Sequence, residues 1–262
     1  MNLEIVAQRQ FNTLYIILDC IFLFILGFLL LWKKKNTTFV VACLAGILYF
    51  IVDFGIFHLL THSRSITEGY SLFWVLLWMS MSYGFTNFTW LWLWIKKDKD
   101  LLPFTFLILL WWFVCPLMAS TFGDGFGVIT IQRTTSSYHG YMAIILFLGY
   151  LALIIWNLAH EDKKQKAPLL WLLAIGILVQ FGWEFGLLIG GIRSALFTNF
   201  GDKMMTLIIN SLLETNLGAP LLYLIYIQYN RYRNEDLSKK EQTLTFIESI
   251  EENNSISYKN NK

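Results

Sequence analysis

The chain alternates long apolar blocks with short polar connectors, and the period of a soluble helix or strand does not break the blocks up. Seven blocks predict helices: Leu14–Trp32, Thr38–Leu60, Tyr70–Ile95, Leu101–Met118, His139–Ala159, Ala167–Gly191 and Met204–Tyr229. A helix of about 20 apolar residues crosses a hydrocarbon core of roughly 30 Å, so each block is long enough to span. Barrel strands, about ten residues long with strict alternation, do not describe them. The predicted fold is all-α, a polytopic membrane protein with seven transmembrane helices over residues 1–230. Residues 231–262 are polar, rich in Asn, Ser, Glu and Lys, and cannot bury enough apolar surface to fold alone. They read as a disordered cytoplasmic tail, with a short surface helix around Thr243–Ile250.

Composition agrees with this pattern. Hydrophobic residues make up 56% of the 262 positions and charged residues 15%, against about 25% charged in soluble domains. Cys20, Cys43 and Cys115 each lie inside an apolar block, which predicts small buried thiols rather than a disulfide framework or zinc site. The net charge is +2 and the basic residues are not clustered on a soluble face, so nucleic acid is not an expected partner. The bilayer is one, with a hydrophobic or small-molecule ligand; oligomeric state stays open.

The connectors set the orientation. Lys33–Lys35, Lys96, Lys97, Lys99, Lys163, Lys164, Lys166 and the basic residues of the tail lie on one side. Only Arg9, Arg64, Arg133, Arg193 and Lys203 lie on the other. Cytoplasmic loops carry the excess of Lys and Arg, so a cell-membrane protein with its N-terminus outside and C-terminus inside is expected. The longest outer connector, Ala119–Tyr138, contains Gly123-Asp124-Gly125-Phe126-Gly127 and reads as a flexible turn.

Two stretches resemble each other. Gly46-Ile47-Leu48 leads to Asp53-Phe54-Gly55, and Gly176-Ile177-Leu178 leads to Glu184-Phe185-Gly186. Ser82 and Thr86-Asn87 are echoed by Ser211 and Thr215-Asn216. The offset stays near 130, which predicts a 3+1+3 parallel internal repeat, with helix four as connector and sites near the repeat interface.

Ionisable groups inside a membrane cost free energy and mark functional sites by default. Asp53, Glu184 and Glu214 are expected at a common depth of roughly 12 Å in the outer half, with Asp19 shallower and interfacial. These three are the candidate catalytic acids, converging on an outward-opening pocket with at least one protonated. Gln180 precedes Glu184, Asn210 precedes Glu214 and Tyr49 precedes Asp53 by one turn, so each shares its acid's face. With Trp183, they are candidate ligand-binding residues, as are His58 and Arg193 on the outer rim. Pro220 frees the carbonyl of Asn216. Carboxyls hydrogen-bonded across helices as structural glue are the alternative reading. The rim arginines suit either solvated loops or an anion-attracting patch. Trp90, Trp92 and Trp94 read as interfacial anchors. No histidine spacing fits a metal helix motif; no metal and no cofactor are assigned.

With these residues the layout resembles the fungal integral-membrane terpene cyclases of meroterpenoid pathways, small seven-helix proteins with an acid in helix two and another in helix seven. In that family a Thr-rich start of helix two leads to a pattern like Asn-x-x-Trp-Glu. Here Thr38 runs fifteen residues to Tyr49-Phe50-Ile51-Val52-Asp53, Glu214 takes the place of the second acid, and the Trp-Glu pair itself is Trp183-Glu184 in helix six. The resemblance implies protonation of an epoxide or alkene on a prenyl chain, with aromatic walls steering the cation. The repeat equally suits a small-solute transporter with the layout of SWEET sugar carriers or PnuC-type vitamin carriers. A receptor or sensor is a third class, and whether the chain is an enzyme is left open at this point.

Overall fold

A computed structural model of the chain describes residues 7–133, 138–161, 166–193 and 199–232. It is mostly helical. The helices are α1 (Thr13–Trp32), α2 (Asn36–Phe50), α3 (Leu72–Ile95), α4 (Leu101–Phe122), α5 (His139–Ala159), α6 (Leu169–Ile189) and α7 (Phe200–Tyr232). A π-helical segment, Ile51–Leu60, carries α2 onward without a break. α1 starts at Asn12, whose side chain accepts the Tyr15 amide at 3.0 Å. Such a cap satisfies one of the amides that a helix N-terminus leaves unpaired. Lys34 and Lys97 take left-handed backbone, φ 57° and 49°, in the tight turns that follow α1 and α3.

Six of the helical spans, α1, Asn36–Leu60, α4, α5, α6 and Phe200–Asn230, are long and apolar enough to cross a membrane. Their outer faces expose large apolar side chains, such as Phe24 at 80%, Leu158 at 80% and Leu170 at 84%. A soluble monomer does not present apolar surface on that scale; a bilayer solvates it. The remaining long helix, α3, is central and carries a run of buried polar side chains. Ser80, Ser82, Thr86, Asn87 and Thr89 are all buried on it, and it touches α1, α2, α4, α6 and α7. Trp90 and Trp92 are interior as well, at 2% and 0% exposure, so they are not interfacial anchors. The indole N–H of Trp90 donates to Thr105 at 2.7 Å.

The structure adds to the all-α expectation a small sheet in the connectors. β1 (Ala7–Asn12), β2 (Arg64–Ile66) and β3 (Val128–Arg133) form an antiparallel sheet in the order β1-β3-β2. In β3, Ile129 and Ile131 are buried while Val128 and Gln132 are exposed, the period-two alternation of a half-buried strand. The connector read as a flexible turn is thus strand beyond Gly127. The backbone of Arg193 bridges to that of Arg9, and the Gln10 amide donates to Ile192 at 3.0 Å. The N-terminal segment and the connectors after α2, α4 and α6 therefore meet at one end of the bundle. The connectors after α1 and α3 are tied together by Lys35, which pairs with Asp98 and, at 2.9 Å, with Asp100. Most of the tail, residues 233–262, lies outside the described residues, and Thr243–Ile250 with it.

Candidate functional site

Gln180, on α6, is the centre of the polar layer. Its carbonyl oxygen accepts from Tyr83 Oη at 2.7 Å, from Asn87 Nδ2 at 3.3 Å and from Thr215 Oγ1. Those donors fix which end of the amide is which. The Nε2 end donates to Glu214 Oε2 at 2.9 Å and to Glu184 Oε1 at 3.4 Å. Gln180 is fully buried, and its donor and acceptor ends are both engaged, as a buried amide requires. The expected pairing of Gln180 with Glu184 on one helix face holds, and α7 delivers Glu214 to the same amide.

The acids have different surroundings. Glu184 has no exposed surface and lies 3.1 Å from Arg193 Nε and 3.6 Å from Arg9 Nη2. Asp53, in the π-helical segment, accepts from Arg64 Nε at 2.7 Å, and the Arg64 guanidinium lies 4.4 Å from the Phe57 ring centroid. Glu214 is half-buried and has no arginine partner among the described residues. His139, at the start of α5, is within electrostatic reach of it.

Three arginines of the sheet end thus point inward. Arg9, Arg64 and Arg193 are buried at 4%, 4% and 5% exposure. They are neither solvated loop charges nor an anion-attracting patch, because carboxylates of the bundle take up their charge. Desolvating a lone guanidinium costs several kcal/mol, roughly, unless a partner offsets it. Asp19, expected at the interface, is instead 2% exposed and accepts from Trp78 Nε1 at 2.9 Å.

The remaining candidates fall as follows. The Tyr49 hydroxyl donates to Tyr83 Oη at 3.2 Å and reaches the Glu214 carbonyl at 3.5 Å, so Tyr49 belongs to the layer. Trp183 is buried against it, with ring centroids 5.9 Å from Tyr83 and 5.3 Å from Trp112. Asn210 is buried one turn before Glu214, and its Nδ2 has no hydrogen-bond partner among the described residues. His58 sits beyond Asp53 with its ring 5.2 Å from Phe54, away from Gln180. Arg193 serves Glu184. The cavity that reaches this layer is lined by Arg9, Trp78, Ser82 and Trp183 and measures about 10 Å³, space for about one water. Glu184 and Glu214 converge on one amide; Asp53 is held by Arg64.

Sequence reasoning missed Tyr83; it read Arg64 and Arg193 as rim charges and Arg9 only as a basic residue of the outer side. Tyr83 had a signal: Tyr83 and Asn87 stand one turn apart on α3 and make a polar stripe. The arginines had none, because only the sheet turns them inward. Among the described residues no group of His, Cys, Asp and Glu could hold a metal ion. No family model, curated protein or solved structure matches the chain.

Proposed function

We propose that this chain is a seven-helix integral membrane enzyme in which Glu214 protonates an apolar, lipid-soluble substrate, in the manner of an integral-membrane terpene cyclase. The observation that carries this reading is that Glu214 has no arginine partner among the described residues. Arginines hold Asp53 and Glu184, whereas the Glu214 carboxyl is aligned by the neutral amide of Gln180, which also accepts from Tyr83 of the aromatic group formed with Tyr49 and Trp183. A general acid must be positioned and able to hold a proton, and an arginine at contact distance would favour the ionised form. On a prenyl epoxide, the Glu214 proton passes to the epoxide oxygen and the C–O bond breaks. An alkene of the chain then attacks the resulting carbocation, and the last cation gives up a proton to a water, which returns it to the Glu214 carboxylate, so that the product is an isomer of the substrate and the acid is restored. The aromatic faces stabilise the travelling charge. Asp53 then serves as a structural acid.

The experiment is direct. Protein in liposomes is given an epoxidised farnesyl phenol, and cyclised isomers of unchanged mass are sought by mass spectrometry. Turnover lost in Glu214→Gln and kept in wild type supports the reading; no cyclisation by wild type ends it.

A second reading, a small-solute carrier with a 3+1+3 repeat, is favoured by the two acid–arginine pairs. Arg193 follows Arg64 by 129 positions, as Glu184 follows Asp53 by 131. Sites of parallel-repeat carriers lie where the halves meet, and Tyr83 contacts both Tyr49 and Gln180 there. Solute uptake by wild-type liposomes without cyclisation would select this reading. In either case the N-terminus is placed outside the cell membrane and the C-terminus in the cytoplasm, on the strength of the lysine distribution.

A further inference from the structure

Glu214 stands at one end of a continuous stripe of α7. Residues spaced three and four apart share a helix face, and Glu214, Leu217, Leu221, Leu224, Ile225 and Gln228 follow that spacing. Leu221 and Ile225 are 57% and 45% exposed, and Gln228 is exposed too. At the lower part of the stripe, Leu224, Ile225 and Gln228, with Tyr229 beside them, line an open surface depression of about 480 Å³. α2 borders α7 at both ends of the stripe. Tyr49 Oη reaches the Glu214 carbonyl at 3.5 Å, and Thr37 Oγ1 bonds Tyr229 Oη at 3.0 Å. The opposite approach is obstructed, since Arg9, Arg193 and the β1-β3-β2 sheet lie over Glu184.

We propose that this stripe is a binding groove open to the bilayer, and that its occupant is a membrane-dissolved single-chain amphiphile. The chain lies along Leu217 to Ile225 and the hydrogen-bonding head meets Glu214. The stripe is polar at both ends and apolar between, and from Glu214 to Gln228 it is about 21 Å long at 1.5 Å per residue. A single chain with an oxygen-bearing head has that shape and polarity. A water-soluble solute arriving from the sheet end does not match it. The inference rests on Glu214 being the working acid, and it concerns how the ligand reaches it.

The test uses the full chain in liposomes and two carbodiimides, the lipid-soluble dicyclohexyl reagent and a water-soluble one, with the modified residue mapped by mass spectrometry. Glu214 is expected to take the lipid-soluble reagent and not the other. That labelling should be lost when dodecan-1-ol is added and reduced in Leu221→Trp, which fills the stripe without touching the acid. A spin label at Leu217→Cys, in a background with Cys20, Cys43 and Cys115 replaced by Ala, should be relaxed by oxygen and not by a water-soluble nickel complex. Labelling by the water-soluble reagent, or none by either at both acidic and alkaline pH, overturns the groove. So does a spin label relaxed by nickel. Protection by dodecanol without any cyclisation would leave the groove standing and remove the cyclase reading alone.

Discussion

Two segments of the chain, about 130 positions apart, carry the same words and end in different chemistry. In the first, Asp53 follows Tyr49 by one turn and pairs with Arg64. In the second, Glu184 follows Gln180 by one turn and pairs with Arg193, with Arg9 added from β1. Tyr49 and Gln180 hold matching positions, and both meet the hydroxyl of Tyr83. They diverge at the next helix. Counting 129 back from Glu214 gives Phe85, a buried ring. An amide can donate to a carboxylate with one end while its other end accepts; a phenol offers a single donor. The second segment can therefore wire an ion-paired acid to one with no arginine partner among the described residues, and the first cannot. The shared pattern supplies the charge pairing, and the departures from it supply the site.

The largest expected effect tests the charge pairing. Arg64→Met strips Asp53 of its 2.7 Å partner and should cost about 3–5 kcal/mol, the cost of breaking a buried ion pair. Arg193→Met should cost less, because Arg9 remains near Glu184. Equal losses in denaturant unfolding would erase this difference between the halves, and much of the Arg64→Met loss should return in the Arg64→Met/Asp53→Leu double variant.

Next comes the amide. Gln180→Leu removes the donor to both glutamates and the acceptor shared by Tyr83, Asn87 and Thr215. It should cost about 1–3 kcal/mol for each group left unsatisfied. A Leu variant as stable as wild type would show that the layer is not held through this amide.

Helix packing differs between the halves as well. A Cβ on Gly84 would sit 2.6 Å from the Cα of Gly46, backbone against backbone between α3 and α2. A Cβ on Gly176 would strike the side chain of Asn216, whose Cα is 3.4 Å away. Gly84→Ala should therefore cost about 1–3 kcal/mol by overpacking, and Gly176→Ala less, since the Asn216 side chain can turn aside. Thermal unfolding in one detergent measures both, and the reverse order would contradict the packing argument.

The smallest effect is expected from Tyr49→Phe, which removes one hydroxyl from a layer that keeps its other contacts. A loss of about 0.5–1.5 kcal/mol is the ordinary worth of one hydrogen bond. A much larger loss would make Tyr49 as central as Gln180.

The apolar blocks by themselves determined the helices. An apolar run long enough to span needs no partner to declare itself, because bilayer thickness sets its length, and the block ends agree with α1, α3 and α5 within a few residues. The local pairs on one helix were also legible: Gln180 with Glu184 follows from helical spacing alone, and so does Asn210 beside Glu214. What crosses between elements was not. Val128 to Gln132 alternates like a strand, but a strand is stabilised by its neighbours, and β1 and β2 come from connectors far away in the chain. Only that sheet turns Arg9 and Arg64 inward, and only the approach of α7 to α6 brings Glu214 onto Gln180. A carboxyl's sequence neighbours give its depth. Its charge partners are fixed by tertiary contacts, because electrostatic energy depends on distance through space and on the water that packing excludes.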